Sequence, residues 1–200
     1  MKLGKAAMEA LQAEVTGRLT PGDEILVAGA IALEGTSIIS ESEKEKLGKL
    51  FSPGFLYNCK SLLTDYGVGS CEGEAWKAAE EAGASALFAL KEGGFLSGLW
   101  KMAEASSVGL EADLRKVPIR QETVEVCEVF DINPYRLLSG GAILIGIRGG
   151  EALVQELKRK GFMAAVIGQA NSGNDRLLYS GANARYLERP EVDEIQKIQK

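Results

Sequence analysis

A chain of 200 residues, 46% hydrophobic and 26% charged, has enough apolar side chain for one folded domain, or one domain with an added arm. Its net charge of -5 argues against nucleic acid as the main partner, since neutralising phosphates needs clustered Lys and Arg. There is no histidine, so the commonest general base and the commonest metal ligand are both missing. Any chemistry would rest on carboxylates, Lys, Cys or a bound cofactor. Cys59, Cys71 and Cys127 lack C-x-x-C spacing and read as neither a disulfide framework nor a zinc site. No apolar run approaches the roughly 18 residues that span a bilayer. The Met-Lys-Leu-Gly-Lys start has no signal-peptide core. The expected location is the cytoplasm, away from membranes.

In chain order, Ala6, Ala7, Leu11 and Val15 recur at helical spacing, which predicts a helix over Lys5–Val15. Thr20-Pro21-Gly22-Asp23 reads as a turn, and Glu24–Ala30 as an apolar strand. Gly35-Thr36-Ser37 is expected to open a helix to about Leu50, with Ser or Thr as its cap. Pro53 starts a helical run through Asp65, and Gly67, Gly69 and Gly73 break it. Glu74–Ala82 is helix, stopped by Gly83, and Ser85–Leu90 is a short buried strand. Gly93-Gly94 leads into a helix with Phe95, Leu99, Met102 and Ala103 on one face.

Leu110–Val117 alternates like a strand, Gln121–Phe130 is helix, and Ala142–Ile147 is a core strand. Glu151–Lys160 is helix, its basic end Lys158-Arg159-Lys160 complementing the helix dipole, and Phe162–Gln169 is strand. Asn171 to Asp175 reads as a turn, because calcium loops need more carboxylates. Asp175–Tyr179 and Ala184–Leu187 pair as a hairpin, and the last ten residues fray or form a short helix. The pattern is α+β: a mixed β-sheet covered by helices. Cys127, Trp76 and Trp100 read as packing residues. Cys71 has acidic neighbours that disfavour a reactive thiolate.

Several segments, taken in order, resemble one family. Pro21-Gly22-Asp23 precedes an apolar strand, and Glu34-Gly35-Thr36 sits at a helix start. Glu92-Gly93-Gly94 is followed by Ala103-Glu104-Ala105-Ser106-Ser107-Val108-Gly109-Leu110-Glu111. Then Pro118 to Cys127 runs from strand to helix, before Asn133-Pro134-Tyr135 and the small-residue elbow Ser139-Gly140-Gly141. This order is similar to the C-terminal domain of the aminoimidazole ribonucleotide (AIR) synthetase superfamily, nearest to hydrogenase maturation factors of the HypE type. The resemblance covers Pro21 to Leu187. It implies residues 1–20 as an N-terminal helical arm and 21–200 as an AIR-synthase-related, PurM-like C-terminal domain.

In that family the C-terminal half closes over ATP held mainly by an N-terminal half. The resemblance therefore makes Mg-bound ATP the candidate cofactor, although the residues alone identify none. Lys91, Glu92, Gly93 and Gly94 are the candidate phosphate-facing turn, since backbone N–H groups before a helix favour anions. Ser139, Gly140 and Gly141 are small enough for a ligand or another backbone to approach. The competing reading of both segments is tight turns that need glycine for φ or packing.

Three departures bear on activity. Ala89 and Lys91 stand where the family has an Asp and a Thr, so a hydrogen-bond acceptor and Mg²⁺ ligand is lost. Lys91 could instead meet a phosphate as a point charge. The end Gln196-Lys197-Ile198-Gln199-Lys200 carries no terminal cysteine for the family's dehydration chemistry. The residues before Pro21 are too few for a nucleotide-binding half. The expectation is a stand-alone or degenerate relative, non-catalytic on its own, that binds or assembles, as a homodimer or with a separate nucleotide-binding chain. The alternative is one component of an ATP-dependent synthetase or dehydratase whose other half is a second chain.

Overall fold

A computed structural model describes residues 3–69, 73–190 and 192–198. Cys71 lies outside them. The helices are α1 (Lys5–Glu14), α2 (Leu33–Ser42), α3 (Lys44–Leu47), α4 (Pro53–Tyr66), α5 (Glu74–Glu81), α6 (Gly94–Ser106), α7 (Gln121–Phe130) and α8 (Glu151–Arg159). The strands are β1 (Thr16–Gly17), β2 (Glu24–Ala28), β3 (Ala86–Ala89), β4 (Gly109–Asp113), β5 (Ile143–Ile147), β6 (Ala164–Asn171), β7 (Arg176–Ser180) and β8 (Asn183–Tyr186). They form one sheet in the order β1-β3-β5-β2-β6-β4-β7-β8. Within it β4 and β7 run parallel, and the other neighbours pair antiparallel.

The centre of the sheet is apolar on both faces because helices cover both. Ile25, Val27 and Leu144 pack with Leu11 of α1, Val15 just after it, and Phe95, Leu99 and Met102 of α6. Leu26, Ile143, Ile145 and Ile147 pack on the other face with Trp76 of α5 and Leu153 and Leu157 of α8. α2, α4 and α7 join in a third cluster around Ile39, Leu47, Cys59, Val126 and Cys127, and Ile195 closes it. Trp76 is buried, and Trp100 packs against the first face.

The Thr20–Asp23 turn forms as its residues dictate. Gly22 takes φ 94 after Pro21, and Asp23 N–H reaches Thr20 C=O at 3.0 Å, a type II turn. The hairpin closes at Ser180↔Asn183, with Gly181 at φ 64. Lys158 and Arg159 lie in the last turn of α8, and Glu194–Lys197 forms a short 3-10 helix.

Three expectations are corrected. The predicted strand to Ala30 stops at Ala28, where Gly29 turns the chain at φ 85. The helix expected to open at Gly35 begins at Leu33 after Ala32, a left-handed residue with φ 59, and no side chain caps it. The Thr36 hydroxyl instead turns back to Ala32 C=O at 2.8 Å, and the run divides at Glu43. The strand expected through Val117 ends at Asp113. The Asp113 carboxylate accepts from Arg115 N–H at 3.0 Å and so starts a 3-10 turn over Leu114–Lys116.

Candidate functional site

The fold brings the two candidate segments together. Lys91 C=O accepts from Gly94 N–H at 3.1 Å and from Ser139 N–H at 3.2 Å, so the turn before α6 and the elbow before β5 form one wall. Lys91 and Glu92 are exposed on its rim, while Gly93, Gly94 and Ser139 are buried.

Three of the four glycines of the wall, Gly93, Gly94 and Gly141, take a left-handed backbone that favours glycine. Gly93 and Gly94 take φ 82 and 66, a region that costs a side chain about 1–2 kcal/mol. A Cβ on Gly94 would lie 2.6 Å from Leu137 O and 2.8 Å from Arg136 C. A Cβ on Gly140 would lie 2.0 Å from Glu34 Oε2. Gly141, at φ 90, faces Leu63, and its C=O accepts from Val68 N–H at 2.9 Å. Ser139 is wholly buried, with Oγ donating to Leu137 C=O at 2.7 Å and accepting from Ala32 N–H at 2.9 Å. The smallness of the elbow serves the approach of α2 and α4.

Asp193 was not foreseen. This residue is buried at the wall, 2% exposed. Its Oδ2 accepts from Gly93 N–H at 2.6 Å, and its Oδ1 accepts from Leu138 N–H at 3.1 Å and Ile195 N–H at 2.9 Å. Nearby, Arg136 Nη2 pairs with Glu188 at 3.0 Å. The only signal in the sequence was an Asp just before a short helical turn, which reads as a local cap. Glu34, seen as part of a motif, also enters the wall.

This donor set does not fit a nucleotide phosphate as it stands. The Gly93 N–H is already bound to a carboxylate. Among the described residues no group of three or more His, Cys, Asp or Glu side chains could hold a metal ion. Ala89 and Lys91 add no carboxylate beside the turn.

The family model described as AIR synthase related protein, C-terminal domain, matches residues 77–179, just over half of the chain. This chain belongs to that family. The matched span of this AIR synthase-related chain includes the glycine turn and the elbow but stops before Asp193. Carbamoyl dehydratase HypE of Rhodobacter capsulatus is 24% identical over 190 residues, covering 91% of this chain and 52% of that protein. The chain therefore spans about half the length of the curated relative it matches. Among solved structures, E. coli HypE superposes with a TM-score of 0.71 at 20% identity, over 90% of this chain and 53% of that one. A HypE in complex with ATP gives 0.64 at 20% identity, over 89% and 53%. At these identities the likeness shows the fold, a mixed sheet with helices on it.

The two described cysteines are buried core thiols. Burial raises the Cys59 pKa, with Glu122 adding to the rise and a hydrogen bond to Ser40 opposing it. Burial, with Glu194 nearby, lifts Cys127 from 9.0 to about 12. The raised folded value means that stability is fully present below pH 9.0 and is lost as pH climbs toward about 12, because only the unfolded thiol ionises in between. We expect urea-denaturation free energy to fall by about 1.4 kcal/mol per pH unit in that window for Cys127 alone. A Cys127→Ala variant is expected to show a shallower fall; an identical slope would refute the assignment.

Proposed function

We propose that this chain is a non-catalytic binding and assembly module, whose main ligand is another protein chain, a second copy of itself in the first instance. The observation that carries this reading is the internal satisfaction of the wall. Lys91 C=O, Gly93 N–H, Gly94 N–H, Leu138 N–H and Ser139 N–H all bond within the chain. A turn whose donors are spent on its own residues is built for rigidity rather than for turnover.

Surface chemistry supports a protein ligand. Tyr57, Tyr186, Val192 and Leu50 are 72%, 63%, 65% and 61% exposed, and aromatic side chains are favoured anchors at interfaces. No helix among the described residues is long and apolar enough to cross a membrane. A further structural neighbour is a HypE–HypF complex, with a TM-score of 0.62 at 21% identity over 86% of this chain and 54% of that one. Its fold thus occurs in a protein that assembles with another.

The second reading is a component of an ATP-dependent synthetase or dehydratase, completed by a nucleotide-binding chain. The exposed Lys91 and Glu92 at the rim favour it, as does the ATP complex of the HypE neighbour. Light scattering on the purified chain and a calorimetric titration with Mg-ATP separate the two. A dimer with no heat of binding is the expected result. A monomer that binds Mg-ATP at micromolar concentration would replace the first reading with the second.

A further inference from the structure

The misfit between this wall and a phosphate has a specific cause, which deepens the proposed function and rests on its reading of the wall as closed. Gly93 N–H stands at the start of α6, a helix of 13 residues, where backbone donors and the helix dipole favour negative charge. A second donor, Leu138 N–H, converges on the same carboxylate from the elbow. The negative charge at this point belongs to Asp193, which lies 100 residues along the chain from Gly93. At 2.6 Å the Gly93 contact is at the short end for a charge-assisted hydrogen bond.

We propose that the segment 192–198 is an occluding strap: Asp193 occupies the anion position between Gly93 and Leu138 and excludes phosphoryl oxygens from it. Further contacts fasten the same stretch of chain. Upstream of it, Glu188 pairs with Arg136, which precedes the elbow. Gln196 Nε2 donates to Glu92 Oε1 at 3.4 Å. Ile195 packs into the helical cluster, and the Asp193 carboxylate also caps its own 3-10 helix at Ile195 N–H. An anion entering the turn must therefore displace a carboxylate that is held by packing on one side and by three N–H groups on the other.

The test follows the Gly93 and Leu138 amides by NMR during titration with inorganic pyrophosphate. In the unmodified chain both signals are expected to stay in place to millimolar concentration. Asp193→Asn keeps the shape of the side chain but removes its charge. There the same amides are expected to shift saturably, with binding about tenfold tighter or more than in the unmodified chain, a difference of about 1.4 kcal/mol. Asp193→Ala should respond more strongly still; if it does not fold, Asp193→Asn alone decides.

Equal shifts in the unmodified chain and the variant would overturn the strap, and so would silence in a folded variant. Mg-ATP binding with both amides silent would defeat the proposed function while leaving the strap intact. Amide shifts with pyrophosphate in the unmodified chain, without Mg-ATP binding, would do the reverse.

Discussion

Gly94→Ala is expected to destabilise the chain by about 3 kcal/mol or more, read as a drop in the urea midpoint without a change in slope. The residue's left-handed backbone accounts for about 1–2 kcal/mol of this. The rest comes from contact, since the new methyl would stand 2.6 Å from Leu137 O and 2.9 Å from Leu137 N. Those atoms are backbone and move only if the elbow moves. Gly83→Ala is the matched control, because Gly83 has φ 83 but nothing within 4 Å of the added carbon. It should lose only about 1 kcal/mol. Equal losses at both positions would mean that the elbow yields freely, and the rigid wall would have to be abandoned.

Phe95→Ala should cost about 3–5 kcal/mol, the range for emptying a buried aromatic site. Phe95 is 0% exposed and directly follows the glycine turn. Its ring lies 6.2 Å from that of Tyr135, tilted at 59°, and Tyr135 OH donates to Leu114 C=O at 3.1 Å. One side chain therefore ties the start of α6 to the chain leading into the elbow. Thermal unfolding followed by circular dichroism measures the loss. Faster hydrogen exchange at Gly93 and Leu138 would show that the wall loosens with the core. A loss below about 1 kcal/mol would mean that the site collapses without a cavity and that Phe95 does not anchor the wall.

Most elements were legible because their causes are local. Phe95, Leu99, Met102 and Ala103 recur at helical spacing, and all four are 0% exposed. The Leu110, Ala112, Leu114 alternation buries one side of β4 and its continuation. Pro21-Gly22 and Gly181 mark turns because φ is set by proline or freed by glycine. The start of α2 was misplaced for the opposite reason. Ala32, with no side-chain cap to announce it, takes the left-handed position where Ser139 Oγ receives its N–H.

The composition, the α+β order of strands and helices, and the glycines of the two turns were determined by the sequence itself. They depend on backbone preferences and on periodicity within a few residues. Tertiary structure decided what those turns face. It joined Lys91 to Ser139, set Glu34 against Gly140, and carried Asp193 across 100 positions onto Gly93. A hydrogen bond between such distant residues leaves no periodic trace in the chain, because it forms only when the sheet and the helical cluster have packed and brought the two ends into register.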